Sequence, residues 1–203
     1  MQSLDRVYQS GSANSAINGM LNTVGRAAFL MGDHTDLYGA NNFLLVHNPT
    51  EGFFKDLLES AQDKAATFGL PASAASKQFS EILRNSDDTG GSQWVAHSQG
   101  GIIFSESMRQ NLRGGQMLSR TSVAFHAGGN NKGVTDRYAS QLGTSVISYV
   151  DHPHDMVPQI LGLRAGLNPL KWIGSTLRAP TLSGRFNRMM GTESPHTFPY
   201  EKN

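Results

Sequence analysis

The stretch Trp94-Val95-Ala96-His97-Ser98-Gln99-Gly100-Gly101, followed at once by Ile102-Ile103-Phe104, decides how the rest of this sequence is read. An apolar, strand-like run leads into Ser98 and a helix-like run leads out of it. The form small-x-Ser-x-Gly between two such runs is that of a nucleophile elbow, in which a serine sits on a sharp strand-to-helix turn. Such a turn leaves no room for bulk beside the serine, and both Ala96 and Gly100 are small. The first of these positions is alanine where glycine is usual, but size is what the turn demands.

Working outward, Gln93–Ala96 is the strand that delivers Ser98, and Ile102–Arg113 carries the helix that leaves it, stopped by Gly114-Gly115. Val123–Ala127 reads as a strand running into a Gly128-Gly129 turn, Asp136–Leu142 as a short helix, and Ser145–Val150 as another strand. Upstream, Asn41-Asn42 introduces the buried strand Phe43–His47. Thr50–Phe68 follows as a helix with Phe53, Leu57, Ala61 and Ala65 on one face, and Ser73–Arg84 as a second. Ile17, Leu21, Val24, Ala28 and Met31 recur at helical spacing, which predicts one helix from Ser12 to about Gly32. Alternating strands and helices predict a parallel sheet covered on both faces. The expected fold is a single domain over residues 1–203: a small three-layer α/β/α unit with a mostly parallel sheet. It has an N-terminal helical segment at 1–40 and a single strand before the elbow strand.

A serine is a poor nucleophile unless a base takes its proton and a third group orients that base. On an elbow of this kind the partners follow in the order serine, acid, histidine. Asp155 lies just past the strand Ser145–Val150 and opens Asp155-Met156-Val157-Pro158, with Asp151 and Asp136 as competing acids. His196 is the only histidine after Asp155. Ser98, Asp155 and His196 are therefore the expected catalytic residues. The oxyanion formed during acyl transfer needs the backbone N–H after the nucleophile and a second from a loop after an earlier strand. Gln99 supplies the first. His47-Asn48-Pro49-Thr50 is the expected second loop, and since proline has no N–H the donor is Asn48 or Thr50. His97 is expected to pack against or orient the elbow and not to act as the base, because successive strand residues point to opposite faces. His47 and His126 end strands and are read as core or rim histidines. Asp151-His152-Pro153-His154-Asp155 matches no standard zinc spacing, so neither metal nor cofactor is expected.

These pieces resemble the lipase-like branch of the α/β-hydrolases. The resemblance rests on His97-Ser98-Gln99-Gly100-Gly101, the Gly128-Gly129 turn, Asp155-Met156-Val157-Pro158 and the late His196. The stretch His47-Asn48-Pro49-Thr50-Glu51-Gly52, taken with Trp94–Ser105, is also similar to hydrolase domains at the C-terminal ends of bacterial polymorphic toxins and secreted lipase effectors. The resemblance covers residues 40–160 and the last ten. It implies a serine esterase of lipase or phospholipase type that cleaves lipid esters through an acyl-enzyme. For a toxin it further implies an immunity protein as partner. The same triad serves thioesterases and acyltransferases, and a hydrolase fold can also persist as a catalytically silent binding module.

The bulk composition limits the alternatives. The 203 residues carry a net charge of +1, which gives no field to recruit nucleic acid, and no cysteine, which removes disulfides and thiolate chemistry. No apolar run approaches the ~20 residues of a membrane span. The first residues lack the form of a signal peptide, so export would need another route or a larger parent chain. Residues 156–192 hold no acidic residue but carry Arg164, Lys171, Arg178, Arg185 and Arg188 among Leu167, Leu170, Trp172, Ile173 and Leu177. A basic and apolar insertion of this kind is expected to act as a lid or cap, either on an anionic lipid surface or as a solvated cover.

Overall fold

A computed structural model describes residues 5–7, 13–19, 23–40, 42–48, 73–152, 155, 157–164, 168–171 and 173. Six strands form one sheet: β1 (Asp5–Val7), β2 (Asn14–Ile17), β3 (Leu44–His47), β4 (Ser92–His97), β5 (Thr121–His126) and β6 (Ser145–Val150), in the order β1-β3-β2-β4-β5-β6. Only β1 is antiparallel, paired with β3; β2 to β6 run parallel. The helices are α1 (Val24–Asp36), α2 (Ala74–Asp88), α3 (Gln99–Arg113) and α4 (Lys132–Leu142).

The handedness of the connections explains the layers. The chain steps one way along the sheet from β2 through α1 to β3. It then doubles back past β2 to β4 and continues through β5 to β6. Right-handed crossovers place helices on opposite faces when the direction reverses, and the buried side chains sort accordingly. Strand side chains alternate between faces, so Ala16, Leu45 and Val95 pack with Ala27 and Met31 of α1. Their neighbours Ile17, Val46, Trp94 and Ala96, with Val123 and Phe125, pack against Phe79 and Leu83 of α2, Ile103, Phe104 and Met108 of α3, and Leu142 of α4. Trp94 lies edge-on to Phe79 with ring centres 5.0 Å apart. The three-layer α/β/α fold with a mostly parallel sheet is the one expected.

Two features depart from the expectation. Among the described residues three strands precede the elbow strand, not one, and the helix expected over 12–32 is strand β2 followed by α1. Asn18 and Gly19 break the helical pattern, and α1 starts afresh at Thr23, whose Oγ1 accepts the Arg26 N–H at 3.3 Å as an N-cap. The 1–40 segment therefore contributes two strands as well as a helix. β2 has little intrinsic strand preference, and it is made a strand by pairing on both edges, Ala16 facing Leu45 and Val95. The helix expected over Thr50–Phe68 lies outside the described residues. Of the 156–192 insertion, the described part opens with a single π-helical turn, Val157–Leu161.

Candidate active site

The reversal of direction falls between β2 and β4. In open parallel sheets the crevice outside the carboxyl ends of strands at such a switch point is where ligands are taken up. Ser98 follows β4 there, and Asn18-Gly19 follows β2 beside it.

Ser98 has φ +58° and ψ −124°, a conformation that L residues rarely adopt. Its N–H donates to the His126 carbonyl at 3.2 Å, and its own carbonyl accepts the N–H groups of Gly101 at 3.1 Å and Gly129 at 3.0 Å. The turn is thus tied to the end of β5 on one side and the loop beyond it on the other. Ser98 is also the N-cap of α3, yet its side chain makes no capping hydrogen bond. Thr23, Ser73 and Asn131 all cap their helices through side-chain oxygens. Positive φ points the Ser98 side chain away from the helix it precedes.

Glycine is required on two sides of this turn. A Cβ on Gly100 would lie 2.5 Å from the Ile17 carbonyl oxygen, so α3 can start this close to β2 only with glycine there. A Cβ on Gly19 would lie 2.3 Å from Ser98 Cβ and 2.7 Å from Ser98 Oγ. The wall against the Ser98 side chain is therefore the loop after β2. The loop after β3 stands behind it: the Asn48 N–H donates to Asn18 Oδ1 at 2.8 Å, and Asn48 Nδ2 donates to Gln99 Oε1 at 2.7 Å. Asn48 is brought beside Gln99, but its N–H is committed to Asn18. Thr50 and His196 lie outside the described residues.

The three candidate acids occupy different environments. Asp155 is buried; its Oδ1 accepts the Val157 N–H at 2.9 Å, and its own N–H donates to the His152 carbonyl at 3.0 Å. Asp151 Oδ2 forms an ion pair with Arg164 Nε at 2.8 Å. Burial outweighs that guanidinium and raises the Asp151 carboxyl to about 6. Asp136 accepts the Tyr149 hydroxyl at 2.8 Å and pairs with Lys132 at 3.0 Å on the outside of α4.

The histidines beneath the elbow form a cluster that the sequence did not reveal. His126 Nδ1 shares a 2.8 Å hydrogen bond with His34 Nδ1, and its Nε2 shares one of 2.7 Å with the Tyr38 hydroxyl, which also meets Ser148 Oγ at 2.7 Å. The His97 ring packs on His34, centroids 4.9 Å apart. Both ring nitrogens of His126 are engaged inside the α1 layer, so neither serves Ser98. Burial pushes this imidazole down to about 4, which keeps it neutral. His34 and Tyr38 both lie past Gly32, where the expected helix ends, and Tyr38 stands in the turn after α1, so no local pattern marked the pair.

No protein family, curated protein or solved structure matches this chain.

Proposed function

We propose that this chain is a serine esterase of lipase or phospholipase type on a small α/β-hydrolase core. The observation that carries the reading is the backbone of Ser98: a non-glycine residue at φ +58° on the end of a central strand. Conformations of this kind cost about 1–3 kcal/mol and persist where the surrounding structure enforces them for function.

In this reading Ser98 Oγ attacks the ester carbonyl. His196 accepts its proton and passes it to the leaving alcohol, and Asp155 holds the imidazole in the required tautomer. Asp155 is taken as the acid because it lies buried just past β6, where an acid that follows the serine in the chain is expected. The Gln99 N–H and the loop at Gly19 stabilise the tetrahedral oxyanion, in place of the Asn48 N–H. Water then releases the acyl group from Ser98, and no metal or cofactor takes part. A lipid substrate fits the described start of the basic insertion. There Leu163, Leu170 and Ile173 are 49%, 77% and 52% exposed, beside an exposed Lys171. No helix among the described residues is long and apolar enough to cross a membrane, so contact would be made at the lipid surface. A role as a toxin or secreted effector, with an immunity protein as partner, rests on the motif resemblance alone.

The test compares wild type and Ser98→Ala by fluorophosphonate labelling and by mass analysis of products from a lipid panel. The expected result is labelling of Ser98 and release of fatty acid by the wild type only. A folded Ser98→Ala protein that still hydrolyses the same ester would overturn the reading.

A further inference from the structure

We infer that the side chains of Asn18 and Asn48, with the Gln99 amide, form a relay that positions the oxyanion wall beside Ser98; this rests on the hydrolase reading above. The three residues come from three places, the loops after β2 and β3 and the first residue of α3, yet they join end to end, the middle link running through the Asn48 backbone N–H. Asn48 Nδ2 donates to Gln99 Oε1 at 2.7 Å, the Asn48 N–H donates to Asn18 Oδ1 at 2.8 Å, and Asn18 Nδ2 donates to the Gly19 carbonyl at 2.6 Å. Asn18, Asn48 and Gln99 are 1%, 1% and 2% exposed, so water does not compete for these bonds.

The relay has a direction. It begins on the residue whose backbone N–H heads α3 and ends on the carbonyl of the glycine that touches Ser98. Holding the Gly19 carbonyl therefore fixes the loop that stands against the Ser98 side chain. The two sources of oxyanion donors are thereby locked to each other and do not depend on two independent loops. The cost of the arrangement is visible: Asn48 Oδ1 is buried without a hydrogen-bond partner among the described residues. An apolar side chain of similar shape would avoid that penalty, so this amide supplies direction more than net stability.

The experiment uses Asn18→Ala, Asn48→Ala and the double variant, with Asn48→Leu to fill the same space if the alanine variants fold poorly. kcat and KM on a soluble ester, affinity for an alkyl boronic acid and Tm are measured well below the melting range. The boronate forms a tetrahedral adduct on serine and so reports the oxyanion wall. Each single variant is expected to lower kcat about 10- to 100-fold with KM within about twofold, and to weaken the boronate in parallel. In a serial relay the double variant is expected to be no worse than about threefold below the poorer single one. A lowered Tm with kcat and boronate affinity unchanged would assign these amides to stability alone and overturn the inference. Fully additive losses would overturn the serial connection. A wild type that neither takes fluorophosphonate at Ser98 nor binds boronate would overturn the hydrolase reading, and the relay's role with it.

Discussion

Replacing Gly19 by alanine adds one methyl group at the most confined point of the site. Ordinary van der Waals contact is 3.4–4 Å, whereas this Cβ would stand 2.3 Å from Ser98 Cβ and 2.7 Å from its Oγ. One side must yield by about 1 Å. Ser98 is poorly placed to yield, because its N–H and carbonyl are held by His126, Gly101 and Gly129. The loop after β2 therefore retreats. Overpacking of this size costs about 1–3 kcal/mol, which for a chain of this length lowers Tm by roughly 2–12 °C. A misplacement of about 1 Å at a reacting centre costs on the order of 100-fold in rate, so the loss of rate exceeds anything the lost stability explains. The assay is single-turnover acylation by a p-nitrophenyl ester with enzyme in excess, at a temperature where the variant is fully folded. Gly25→Ala is the matched control: it lies in α1 with nothing within 4 Å of the added carbon. The control is expected to gain about 0.5–1 kcal/mol of stability without loss of rate. A folded Gly19→Ala protein acylated within threefold of wild type would refute the placement of this loop against the nucleophile.

Three further outcomes are expected. Ser98→Gly should be more stable than Ser98→Ala by about 1 kcal/mol in chemical denaturation, since glycine relieves the positive φ while both remove the hydroxyl; equal stability would mean that the turn is not strained. His126 titrates near 4 when folded and near 6.5 when unfolded, so the unfolded chain binds the extra proton first. Its contribution to stability is lost as pH falls from 6.5 to 4, by up to about 3 kcal/mol. Asp151 acts in the opposite sense: folding raises it from 3.8 to about 6, so it favours the folded state as pH falls through that window. Urea denaturation of Asp151→Asn should therefore show a steeper acid loss between pH 6 and 4 than wild type, and an unchanged slope would count against this opposition. Leu170→Asp with Ile173→Asp should weaken sedimentation with anionic phosphatidylglycerol vesicles at least tenfold while leaving soluble-ester hydrolysis within twofold; equal vesicle binding would place the lipid contact elsewhere.

The parts of this fold legible in the sequence are those set by local chemistry. β4 to β6 are compact apolar runs bounded by turn residues. Ser98 is flanked by small residues, and Asp155 follows a strand of unbroken pattern. β2 was not legible, because Asn14-Ser15-Ala16-Ile17 contains a single β-branched residue and its apolar members also fit a helical period. Its strand state is imposed by β3 and β4, which lie far along the chain. For the same reason the approach of Gly19 to Ser98 is not legible, and the sequence points only to Asn48 or Thr50 for the second donor. A glycine whose role is to avoid a side chain in another part of the sequence carries no mark in its own neighbourhood. The histidine cluster was hidden similarly: His34 lies in the last turn of α1 and Tyr38 in the turn after it, and only β4 and β5 bring His97 and His126 beside them.

The position of β2 also governs how this molecule can be cut and in what order it can assemble. Its residues come early in the chain but occupy the middle of the sheet, with Ser15, Ala16 and Ile17 buried between partners made much later. Trimming the N-terminal side as far as Gly19 would open a gap between β3 and β4, although chain position alone suggests a frayed end. During synthesis β2 has no partner for its β4 edge until residues 93–96 have emerged, so the crevice beside Ser98 closes only after a long-range pairing step of the slow kind. A circular permutant opened between Asp88 and Gly91 would place β4 before β2 in the chain, and its refolding rate would show whether that closure limits assembly.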